Sequence, residues 1–135
     1  MTNQAMTREE KAEQLRALGA EVIESIDMGK VKVGAYVIAG TTDHITPWQG
    51  CYGTARLFGA DSTFVLSNAG HLQSLVNPPG NPKAYFYTAA ADASDPDTWL
   101  QNAGERHSGS WWPHWRAWIQ QRSGALQSAP QALGS

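Results

Sequence analysis

The sequence predicts an α/β fold built on a parallel sheet, and three observations predict it. Two short apolar runs, Ala35-Tyr-Val-Ile-Ala39 and Thr63-Phe-Val-Leu66, are rich in β-branched and aromatic side chains and bounded by Gly or Asn, as buried strands are. The segment between them, Pro47 to Phe58, is long enough for a helix and has a stop at Gly59. A strand, a helix and a second strand in that order form the repeat of a parallel sheet.

The elements follow in chain order. Residues 1–6 read as a disordered start. Thr7 with Glu10 three positions later predicts a capped helix over Arg8–Leu18 that ends at Gly19. Its apolar face, Ala12, Leu15 and Leu18, is thin, so the helix should dock weakly and its charges should form a solvated face. Ala20–Ile26 fits a short strand or a turn, and Asp27-Met-Gly29 a turn. After the second strand, Leu72–Val76 can start a helix that Asn77-Pro-Pro-Gly-Asn-Pro82 breaks into a rigid, extended loop. Tyr85-Phe-Tyr87 fits a short edge strand. Asp95-Pro96 opens a helix with an Asx cap and Pro in its first turn. Ser110 should cap a last helix that Ser123-Gly124 ends. Its Trp111, Trp115 and Trp118 recur at helical spacing and read as the buried face of that helix.

Composition narrows the function. The chain has 135 residues, 41% hydrophobic and 16% charged, enough for one domain with a modest core. Ten basic against twelve acidic residues give a net charge of −2, which provides no electrostatic footprint for nucleic acid. No run of about 18 apolar residues is present to span a bilayer. The N-terminus lacks the apolar segment of a secretory signal, and the one cysteine, Cys51, has no intrachain partner, so a reducing, cytoplasmic setting is the default.

The residues that can carry chemistry sit just past the strands. Asp43 and His44 follow the first and His71 follows the second, where the loops of an open α/β sheet line the working crevice. Asp43 and His71 match the last two members of the nucleophile–acid–histidine order of α/β-hydrolases. In such a site a neutral imidazole takes the nucleophile's proton, while a carboxylate holds its tautomer and stabilises the imidazolium. Asp43, His44 and His71 lack the short repeated spacings of zinc ligands, so metal binding ranks below acid–base work. His107 and His114 read as surface residues. Cys51 lies in Gln49-Gly-Cys-Tyr-Gly53, where the glycines fall at −1 and +2, whereas a nucleophile elbow has them at −2 and +2. As a thiol inside an apolar helix it should be packed, not reactive.

Four stretches, GTTDHITPW (Gly40–Trp48), FVLSNAGH (Phe64–His71), NPPGNPKA (Asn77–Ala84) and GSWWPHW (Gly109–Trp115), make the chain resemble the carboxyl-terminal part of polyhydroxyalkanoate synthase. The resemblance runs from about Ile26 to Ser135. It implies the carboxyl-terminal portion of an α/β-hydrolase-like fold, with about two parallel strands plus flanking helices and an incomplete sheet. Residues 1–25 would hold the weakly docked helix, 26–123 the catalytic-domain piece and 124–135 a flexible tail. That family polymerises (R)-3-hydroxyacyl-coenzyme A into polyester on cytoplasmic granules and releases coenzyme A, using no cofactor beyond the thioester substrate itself. By resemblance His71 is the base that activates a cysteine. Asp43 acts on the incoming 3-hydroxyl or supports the histidine, and His44 is an orienting neighbour. Trp48 and Asn77 match motif positions with no assigned role. The family's cysteine box lies upstream and is absent here, so the chain is expected to be a synthase fragment, inactive in polymerisation by itself. The rival is a non-enzymatic interaction or granule-associated module that forms a homo-oligomer or pairs with a complementary amino-terminal synthase half. A third reading is a small hydrolase that uses water activated by Asp43.

Overall fold

A computed structural model describes residues 6–19, 28–59, 61–103 and 106–129. Helix α1, Arg8–Ala17, starts at the expected capping box: the Glu10 amide donates to Thr7 Oγ1 at 3.2 Å and the Thr7 amide to Glu10 Oε2 at 2.7 Å. Gly19, at φ 80°, takes the left-handed turn after it. Leu15 and Leu18 stay exposed, in keeping with so thin an apolar face. The stretch Ala20–Ile26 lies outside the described residues, and Met28–Lys30 forms one 3-10 turn.

Strand β1 is Tyr36–Gly40, helix α2 is Trp48–Leu57 and strand β2 is Thr63–Ser67. β1 and β2 pair in parallel from Tyr36↔Thr63 to Gly40↔Ser67, as the strand–helix–strand pattern predicts. The short helix α3, His71–Val76, follows at once. Strand β3, Tyr85–Ala90, is longer than the predicted edge strand and is not at an edge. It runs antiparallel to β2, from Ser67↔Phe86 to Thr63↔Ala90, and takes the two-residue strand β4, His107–Ser108, on its other side. Among the described residues the sheet is therefore mixed and four-stranded, in the order β1-β2-β3-β4: the expected parallel pair is present, and the antiparallel β3 and β4 beside it correct the expectation of an all-parallel sheet. The proline-rich loop brings the chain back beside the end of β2, so β3 can only enter from that end.

Period-two alternation divides the sheet's side chains between two faces. Ala39, Phe64 and Leu66 pack against Tyr52 and Ala55 of α2 and against Trp99 of helix α4, Pro96–Asn102, with Val37, Tyr87 and Ala89 at the margin. Val65 and Phe86 point the other way, with Tyr36 and Ile38, towards helix α5, Trp112–Gln120. Asp95 caps α4 as expected, its Oδ1 accepting the Thr98 amide at 2.9 Å. The N-cap of α5 is Trp111 and the helix ends at Gln120, so Ser110 and Ser123-Gly124 are not its boundaries. Of the tryptophan stripe only Trp111 is fully buried. Trp115 and Trp118 are half-buried and Trp112 is 38% exposed, because one sheet face of this width covers only one side of α5. Among the described residues no helix is long and apolar enough to cross a membrane.

Candidate active site

Asp43 and His71 meet because the exits of β1 and β2 are laced together. The Thr41 amide donates to the Ser67 carbonyl at 2.9 Å and the Thr42 amide to the Ala69 carbonyl at 3.3 Å. Gly40 makes that approach close. A Cβ there would overlap the Ala69 carbonyl oxygen and press on Ser74 Cβ and Oγ at 3.0 Å. Asp43 then folds into an Asx turn ahead of α2, its Oδ1 accepting the Ile45 amide at 2.9 Å and the Thr46 amide at 3.0 Å. Its Oδ2 accepts the Thr46 hydroxyl at 2.6 Å and lies 2.8 Å from His71 Nδ1. The Asp43 side chain is 5% exposed and that of His71 39%.

Protonation follows from this inventory. The Thr46 hydroxyl and amide, ahead of the bonds from His71 and the Ile45 amide, hold the Asp43 carboxyl well below the usual carboxylate range. An ionised carboxylate only accepts, so the shared proton sits on His71 Nδ1. The neutral imidazole is left with Nε2 as its acceptor nitrogen, on a ring that solvent reaches. Such a ring can take a proton from a hydroxyl or thiol placed before it.

The other candidates stand apart from this pair. His44 is exposed, with no hydrogen bond to either member. Cys51 is half-buried in α2, and its Sγ lies 3.9 Å from the Thr46 carbonyl, not against His71. Burial first, and then the Asp43 charge, push its thiol up, which disfavours the thiolate a nucleophile needs. His114 is not a surface residue: it is half-buried and shares a 2.7 Å hydrogen bond with the Tyr36 hydroxyl, while His107 is exposed and stacks on Phe86. Thr46 escaped the sequence reading. An Asp with Thr three positions on, just before a Pro and a helix, is the signal that could have found it.

Thr46→Val removes the hydroxyl and should raise the Asp43 carboxyl towards its ordinary range. A lowered folded pKa stabilises fully above the unfolded carboxylate value of about 4 and is lost as the pH falls through the folded value. Acid unfolding of Thr46→Val, followed by circular dichroism, should therefore begin at higher pH than in the wild type. An unchanged acid limb would show that the hydroxyl does not hold the carboxylate.

Fold and site together define an α/β protein with a carboxylate–imidazole pair at the carboxyl ends of two adjacent parallel strands. No protein-family model matches the chain. Along 82% of its length it is 54% identical to poly(3-hydroxyalkanoate) polymerase 1 and 50% identical to polymerase 2 of Ectopseudomonas oleovorans, covering 20% of each. It is 36% identical, over the same share of the chain, to poly(3-hydroxyalkanoate) polymerase subunit PhaC of Cupriavidus necator, covering 18% of it. Over most of its own length the chain is homologous to proteins named poly(3-hydroxyalkanoate) polymerase. It spans about a fifth of the length of the curated relatives it matches.

Proposed function

We propose that the chain is the carboxyl-terminal piece of an α/β-hydrolase-like polyhydroxyalkanoate synthase and carries the base and orienting acid of a Cys-His-Asp acyl-transfer site. His71 Nε2 takes the proton of a cysteine thiol supplied from outside these 135 residues. The thiolate attacks the thioester carbonyl of (R)-3-hydroxyacyl-coenzyme A, and coenzyme A leaves with the proton held on the imidazolium. The acyl group stays on the cysteine until a 3-hydroxyl, giving its proton to the imidazole, attacks the acyl carbonyl and displaces the cysteine thiolate. Asp43 orients the imidazole and stabilises the imidazolium. It does not act on the substrate hydroxyl, because its side chain is enclosed and both oxygens are occupied. The observation that carries the reading is the 2.8 Å Asp43–His71 contact at the paired strand ends.

The surround supports a partner half. Ile45, Leu72 and Val76 are 62%, 73% and 67% exposed beside the pair, an apolar rim suited to a complementary amino-terminal synthase half, at a polyester granule surface, or to a second copy. The purified chain with a 3-hydroxyacyl-coenzyme A should release no thiol. Thiol release that disappears in Cys51→Ala would overturn the assignment. Mixed with an Ectopseudomonas oleovorans polymerase lacking the matched segment, the chain should restore turnover, and His71→Ala should lower it by about 10³-fold or more. A His71→Ala mixture as active as the wild type would sink the role of the base.

A further inference from the structure

Helix α3 carries His71 at its first position yet has only six residues. A helix that short does not hold itself together, because nucleation costs more than its few hydrogen bonds return. Its N-cap, Gly70, offers no side chain, and its last carbonyls have no partner within the helix. Three consecutive residues from more than thirty positions downstream supply what is missing. The Ser110 hydroxyl donates to the Asn77 carbonyl at 2.6 Å, Trp111 Nε1 to the Ser74 carbonyl at 2.6 Å, and Trp112 Nε1 to the Leu75 carbonyl at 3.2 Å. Ser110 Oγ also accepts the Trp112 amide at 3.2 Å, which fixes the direction of its hydroxyl. Ser110 and Trp111 are each 5% exposed, and Asn77 is 2% exposed. The buried donors of Ser110 and Trp111, aimed at otherwise orphaned carbonyls, are held firmly, since leaving either side unpaired is costly, whereas the Trp112 bond is exposed and longer.

We propose that Ser110, Trp111 and Trp112 form a clamp that positions His71, setting the tilt and depth of α3 and through them the reach of the imidazole to Asp43. The clamp gives the GSWW stretch a task distinct from packing, and its catalytic consequence rests on the reading of His71 as the base. These are positioning residues: none touches the reacting atoms.

The test follows the His71 Nδ1–H proton by NMR on the full chain, independently of activity. In the wild type it should appear as a downfield, slowly exchanging resonance that Asp43→Asn abolishes. Trp111→Phe keeps most of the ring packing but removes the donor. It should broaden that resonance away or speed its exchange by about tenfold or more. Trp118→Phe is the control, because Trp118 Nε1 is buried without a partner on the same helix, so its loss should leave the resonance intact. Ser110→Ala should weaken the signal in the same sense and serves if Trp111→Phe does not fold. A Trp111→Phe or Ser110→Ala protein that melts lower with an unchanged His71 resonance would overturn the clamp and leave the proposed function standing. A wild-type resonance indifferent to Asp43→Asn would overturn the pairing on which both depend.

Discussion

Gly40→Ala is expected to destabilise the chain by about 3 kcal/mol or more, at the upper end of what overpacking costs. The reason is which atom the methyl meets. Most overpacked sites relax by turning a side chain, but the Ala69 carbonyl is backbone, and Ser74 crowds the same point at 3.0 Å. Relief requires the β1 and β2 exits to part, breaking the Thr42–Ala69 and Thr41–Ser67 bonds that hold Asp43 beside His71. The melting temperature should fall by roughly 2–4 °C for each kcal/mol. Gly70→Ala, three residues from Ser67, is the informative contrast. Its Cβ would meet Thr42 at 3.6–3.7 Å, an ordinary contact, and its φ of −82° suits any residue, so its effect should be small. A Gly40→Ala protein that melts like the wild type would show that the two loops are not in close registry.

Trp99→Ala should cost about 3–5 kcal/mol, the range for removing a large buried aromatic. Trp99 is 1% exposed, with ring centroids 4.8 Å from Phe64, 5.7 Å from Tyr52 and 6.5 Å from Trp48. Its Nε1 also donates to the Ala90 carbonyl at 3.0 Å, joining α4 to the end of β3. Truncation leaves Phe64 and Tyr52 facing a hole that the sheet cannot close. Urea denaturation gives the measurement, and Trp99→Phe should recover much of the loss. A Trp99→Ala midpoint close to that of the wild type would mean that α4 is not part of this core.

Local chemistry was legible in the sequence. The Thr7–Glu10 box, the Asp95-Pro96 start and the two apolar runs depend on residues within a few positions of one another, so their spacing states their structure. The Asp43–His71 meeting was legible one step further, because a parallel pair places the ends of both strands on the same rim. What escaped reading depends on partners far along the chain. The direction of β3 is decided by where the proline loop releases it, not by the pattern of Tyr85-Phe-Tyr87. His114 reads as a surface histidine until Tyr36, 78 positions away, is beside it. The tryptophan stripe shows helical spacing, but nothing in it states that the Trp111 indole N–H, with that of its neighbour Trp112, ends on a carbonyl of another helix. Gly40 likewise looks like any strand terminator until Ala69 is placed against it.

The reversed direction of β3 segregates the molecule into two poles. Because the strand starts beside the His71 loop and leaves at the opposite end, Gly40, Asn77 and the Trp111–Ser74 bond all lie towards the end of the sheet that carries the pair. The anchor of α4 at Ala90 and the Arg56 and Tyr52 bonds to the Ser94 and Ala93 carbonyls gather at the other. Substitutions at that distal pole should erode thermal endurance while leaving the Asp43–His71 geometry untouched, whereas those at Gly40 should cost both together.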